Sequence, residues 1–181
     1  WARKVGFLTA DEVYDPNAQY DYADLVYRIW RVNGSPIATK RTMYFKDVYE
    51  SDYYYEAVLW GLEVKLLNTP AHRRMDPHTM ITRQLFLMML YRTEKSPASD
   101  GTVHFTDTAY NASYIKALDW ACDTGIVDVA AEGSKFNPHK KITTDNACEW
   151  LNVYHSAQVI FVCPRSPAQC RGACVCKKNF E

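Results

Sequence analysis

The stretch Asp76-Pro77-His78-Thr79-Met80-Ile81-Thr82-Arg83-Gln84 decides how the chain is read, because its frame occurs more than once. It returns 61 residues later as Asn137-Pro138-His139 with Ile142-Thr143, and 61 residues earlier in reduced form as Asp15-Pro16-Asn17. Working outward, Phe45-Lys46-Asp47 and Phe105-Thr106-Asp107 stand 60 apart, as do Trp60 and Trp120, and Trp1 precedes Trp60 by 59. Leu90-Tyr91-Arg92 has a looser echo in Ile29-Trp30-Arg31. A period of this length marks a repeat architecture. Three copies are expected, over residues 1–38, 39–98 and 99–158, with a tail over 159–181. The first copy is expected to lack what would precede its Trp, which would account for the start at Trp1.

Each copy reads as helix, loop, helix. Tyr54, Ala57, Val58, Gly61 and Leu62 fall at helical spacing, and Tyr114, Ala117, Leu118, Ala121 and Cys122 repeat the stripe. Ser51 or Asp52, and Asn111, are the expected N-caps of these first helices. Gly125 and Gly6 suit their C-terminal ends, whereas Lys65 stands at that place in the second copy and predicts a different ending. The Asp/Asn-Pro turn then stops any helix, and a second helix starts after Asp21, Thr82 or Thr143. Asp21 with Asp24 resembles a capping box. A lone two-helix unit cannot bury its apolar stripe, so the expected fold is all-α, three units packed with pseudo-threefold character.

Composition bounds the function. The 181 residues carry 21 Lys plus Arg against 21 Asp plus Glu, a net charge of zero that argues against nucleic acid as main partner. The longest apolar run is Leu85 to Leu90, far short of the roughly 20 residues of a membrane span. Thirteen Tyr and five Trp suit sugar stacking or interfaces as well as an ordinary core.

With these residues in view, the chain resembles the S-layer homology repeat of bacterial surface proteins. The second copy carries its Phe45-Lys46-Asp47-Val48, its helix from Tyr53 to Trp60, its Ile81-Thr82-Arg83 and its Leu90-Tyr91-Arg92. The third keeps Phe105-Thr106-Asp107, Trp120, Gly125-Ile126-Val127, Phe136-Asn137-Pro138 and Ile142-Thr143. The resemblance implies a three-pronged helical body whose grooves bind secondary cell-wall polysaccharide without catalysis. It implies Arg83 as the anion anchor, Asp47 and Asp107 as acceptors for sugar hydroxyls, and Tyr53 as a stacking aromatic. A guanidinium in the first turn of a helix is chemically suited to an anion. Tyr22 and Thr144 stand where the other two copies would carry this Arg, so one groove at most keeps the full set.

Six cysteines, four of them at Cys163, Cys170, Cys174 and Cys176, read as a disulfide set and imply an oxidising compartment. A zinc site would want Cys-x2-Cys spacing, which is missing. Cys122 and Cys148 replace core leucines of one unit, where they form either an intra-unit disulfide or two buried thiols. The tail's Val162-Cys163-Pro164-Arg165 and Gly172-Ala173-Cys174-Val175-Cys176 partly resemble squash-type trypsin inhibitors, which implies Arg165 as the inhibitory residue.

The five histidines show no metal-ligand spacing and are read as surface loop residues; no metal, cofactor or catalytic motif is expected. The expected function is that of a non-enzymatic, secreted or bacterial cell-surface module that binds wall glycan or assembles with itself or a protein partner. The alternative is a secreted, disulfide-stabilised effector or inhibitor whose tail carries the activity.

Overall fold

The computed structural model describes residues 1–161, with side chains described through Ser156. The described residues form six helices, α1 (Tyr22–Val32), α2 (Tyr55–Glu63), α3 (Arg83–Thr93), α4 (Ile115–Asp123), α5 (Val129–Glu132) and α6 (Thr144–Phe161). β-type pairing among them is limited to three isolated bridges. The fold is all-α, as expected. No described helix is long and apolar enough to cross a membrane. The four tail cysteines and Arg165 lie outside the described residues.

The first backbone N–H groups of a helix have no partner inside it. Here α1, α3 and α6 find theirs in the proline turns. Tyr22 N donates to Thr79 O at 3.0 Å, Arg83 N to Lys140 O at 2.9 Å and Thr144 N to Ala18 O at 2.9 Å. One residue on, Ala23 N reaches Pro77 O, Gln84 N reaches Pro138 O and Asp145 N reaches Pro16 O. The isolated bridges Asp21↔Met80, Thr82↔Lys141 and Gln19↔Thr143 follow the same order. Each proline turn thus serves the helix of another copy, and the series closes when the first turn serves α6.

Helix pairing also runs between copies. α1 packs on α2 and α3 packs on α4. Behind each of α1 and α3, an aromatic ties down the following linker: Trp30 Nε1 donates to Pro36 O and Tyr91 Oη to Pro97 O. The buried residues form one core that includes Phe7, Leu25, Phe86, Leu118, Phe136 and Trp150. Phe86 and Phe136 both stack on the Trp150 ring, at centroid distances of 6.0 and 6.1 Å.

The helix ends depart from expectation in two places. Asp21 caps α1 as predicted, accepting from Asp24 N at 2.8 Å. At α2 and α4, however, the N-cap residues are Tyr54 and Tyr114, without side-chain caps. Asp52 instead accepts from Tyr49 N and closes the preceding turn. At the other end, Lys65 adopts the left-handed conformation of Gly125, with φ of 62° against 72°. The second copy therefore ends its helix as the third does, with a side chain where glycine is favoured.

Candidate functional site

Asp47 and Asp107 hold equivalent places. Asp47 accepts from Met75 N and Asp76 N, both at 2.9 Å, and Asp107 accepts from Phe136 N at 2.8 Å and Asn137 N at 2.7 Å. Asp76 and Asn137 are left-handed, with φ of 53° and 54°. Each carboxylate thereby clamps the strained residue that precedes the proline of its turn. Burial works against the Asp47 charge, yet the two amides and nearby Arg74 hold its carboxyl below the usual range.

Arg83 is 4% exposed. Its Nε donates to Phe136 O at 3.0 Å, its Nη1 to Asn146 Oδ1 at 2.5 Å, and its Nη2 pairs with Glu132. The guanidinium carbon lies 4.7 Å from the centroids of both the Phe136 and Trp150 rings. The expected anion anchor is thus engaged on all three nitrogens by the third copy. Asp107 meets it at Phe136, taking that residue's N–H while Arg83 takes its carbonyl. Tyr53 belongs elsewhere: it is 60% exposed and its ring neighbours are Tyr27 and Tyr54. The structure therefore joins Arg83 to Asp107 and joins neither to Tyr53.

The junction equivalent to that of Arg83 in the first copy is built around Tyr22, and it is open. A cleft of about 290 Å³ lies there, with Phe45, Met75 and Met88 among its apolar walls and Tyr22, His72, Arg74 and Arg92 among its polar ones. Arg74 is already paired, at 3.0 Å from Asp76 and 3.8 Å from Asp47. Arg92 is not. Its Nη2 donates to Leu66 O at 3.2 Å, its buried Nε has no hydrogen-bond partner, and it forms no ion pair among the described residues. Burial pushes its guanidinium down from the ordinary arginine range, partly opposed by the Tyr22 phenol. A half-buried cation without a counter-ion, in a cleft with aromatic and methionine walls, is chemically arranged for an anionic ligand.

Sequence reasoning placed Arg92 inside the Leu90-Tyr91-Arg92 echo and gave it no role. The signal was present in its surroundings: Met88 and Met89 stand one turn earlier, where an acidic residue would pair with an arginine at the end of a helix.

The third junction, around Thr144, is closed by a hydrogen bond of 2.7 Å between Thr144 Oγ1 and Tyr20 Oη. Beside it, a cleft of about 630 Å³ is lined by Leu8, Tyr14, Asp145, Cys148 and Glu149. Tyr14 donates across it to Asp145. Of the two readings of Cys122 and Cys148, the structure has both as free thiols. The physical reason is the pairing of helices between copies: α4, with Cys122, packs on α3, not on the α6 of its own unit.

Compared with models of known protein families and with characterised proteins, the sequence gives no match.

Proposed function

We propose that this chain is a non-enzymatic, extracellular anchoring module of S-layer-homology type. Its three repeats meet around a common axis, and an acidic secondary cell-wall polysaccharide binds in the Tyr22–Arg92 cleft. The closed series of helix-to-turn hydrogen bonds supports the threefold reading, since each repeat gives and receives the same contact. The single observation that carries the binding site is Arg92, half-buried in an open cleft with an unpaired Nε. A carboxylate on a sugar would supply the missing counter-charge, and Tyr22 and His72 offer hydrogen-bonding partners for ring hydroxyls. The Arg83 junction then serves as the filled, load-carrying counterpart of the same contact.

The test is a pull-down of the full chain on bacterial cell-wall sacculi, before and after removal of the secondary polymer. Binding should disappear with the polymer and in Arg92→Gln, and persist in the exposed control Lys46→Gln. Retention of binding in Arg92→Gln, or no binding by the wild type, overturns the assignment.

A further inference from the structure

The third copy carries a group of side chains that the glycan reading does not use. His104, Asp119 and Asp123 each offer a ligand atom, and these atoms all lie within 4.8 Å of one another. Asp119 and Asp123 are one turn apart on the same face of α4, and His104 reaches them from the linker that enters the copy. Asp119 is 3% exposed, Asp123 is exposed and His104 lies between these extremes.

The hydrogen bonds that would orient such a ligand set are already made. Asp119 Oδ2 accepts from Ser99 Oγ at 2.8 Å and Gly101 N at 2.9 Å, which orients Oδ1 toward His104 Nε2, 2.8 Å away. Such outer hydrogen bonds hold a carboxylate ready to ligate. Comparison with the second copy separates this arrangement from ordinary linker anchoring. There, Glu63, the counterpart of Asp123, takes both the N–H and the hydroxyl of Thr39, the counterpart of Ser99. In the third copy Asp119 has taken over that task from a position that is Leu59 in the second. Asp123 consequently has no hydrogen bond or ion pair among the described residues, while standing beside a histidine and a second carboxylate. A half-buried imidazole replaces Tyr44 of the second copy.

We propose that His104 Nε2, Asp119 Oδ1 and the Asp123 carboxylate bind one first-row divalent cation of the Zn²⁺ class. Two carboxylates balance its charge, imidazole suits this group of metals, and solvent completes the coordination. The ion takes the place of the proton between His104 and Asp119. It ties residues 99–104 to α4, fixing the entry of the linker into the third copy.

Co²⁺ titration of the chelator-treated full chain tests this, followed optically because thiolate ligation has its own charge-transfer absorption. The expected result is one Co²⁺ bound without thiolate bands and displaced by Zn²⁺. Asp123→Asn, at an exposed position, should weaken it about tenfold or more. His104→Gln should abolish it while circular dichroism stays unchanged, and Asp11→Asn should have no effect. Thiolate bands as the only Co²⁺ signal, unchanged affinity in Asp123→Asn, or no binding at millimolar Co²⁺ each overturn the proposal.

Discussion

Arg83 and Trp150 lie face to face, the guanidinium carbon 4.7 Å from the ring centroid, although they belong to different repeats. The contact joins the first turn of α3 to the middle of α6 and is completed by the Glu132 ion pair. It makes Arg83 a packing residue of the interface between two copies. Arg83→Ala leaves Glu132, Asn146 and the Phe136 carbonyl without a partner in a nearly dry site. Removal of one member of such a network costs about 2–4 kcal/mol. Arg83→Lys should recover only part of this, because an ammonium lacks the planar fork that fits between two rings. Urea denaturation of the three proteins measures both effects.

Glu12 predicts the acid behaviour of the N-terminal segment. Arg28 holds its carboxyl down from the ordinary 4.5 to about 2, with the Thr9 N–H assisting and burial opposing. Because the folded value is the lower one, this stabilisation is present above pH 4.5 and is lost as the pH falls through 2. The full shift corresponds to roughly 3 kcal/mol, and solvent screening at a partly exposed carboxylate reduces that to about 1–2 kcal/mol. In Glu12→Gln, the Tm should be lower at pH 7 and the fall between pH 4.5 and 2 correspondingly shallower. Thermal melts across that range compare the two.

The helical elements were legible in the sequence because their markers are local. Proline turns, helix caps and apolar stripes act within a few residues, so a period of about sixty exposes them. The partners of Arg83 were not legible for the opposite reason: Glu132, Phe136 and Trp150 lie 49 to 67 residues onward, in the next copy. Nothing in the first turn of a helix distinguishes an arginine that faces solvent from one clasped by a neighbouring repeat. The same blindness to contacts between copies left the choice between a Cys122–Cys148 bridge and two thiols open. The different ending expected at Lys65 did not follow, because tertiary context imposes a conformation that its side chain disfavours.

Lys65 and Gly125 occupy the same left-handed position and should respond oppositely to exchange. Lys65→Gly removes the steric penalty at φ 62° and should stabilise by about 0.5–1 kcal/mol, less the added freedom of the unfolded chain. Gly125→Ala meets no atom within 4 Å, so its cost is backbone strain alone, about 1 kcal/mol. Chemical denaturation midpoints at constant m-value give both signs.

Cys122 and Cys148 should behave as protected thiols. Burial, reinforced by Asp119, Asp123 and Glu132, raises Cys122 to about 12, and burial with Asp145 raises Cys148 to about 11. At pH 8 almost none of either is thiolate, the form that reacts. Iodoacetamide should therefore label neither quickly in the folded protein and both in the unfolded chain without prior reduction. Mass spectrometry of peptides spanning the two positions distinguishes this from a disulfide.

Arg92 permits the sharpest separation of function from stability. A half-buried cation without a counter-ion raises the free energy of the folded state, and an apolar side chain of similar length does not. Arg92→Met should therefore raise the denaturation midpoint, by about 1 kcal/mol, while removing the cleft's attraction for an acidic polymer. Arg83→Met, at the equivalent but filled junction, should do the reverse on both counts: it should unfold more readily, and its folded fraction should still bind sacculi. A residue maintained for packing cannot be replaced with a gain in stability and a loss of binding together. Parallel urea melts and sacculus pull-downs of the two variants test that opposition, and a destabilised Arg92→Met would return Arg92 to a structural role.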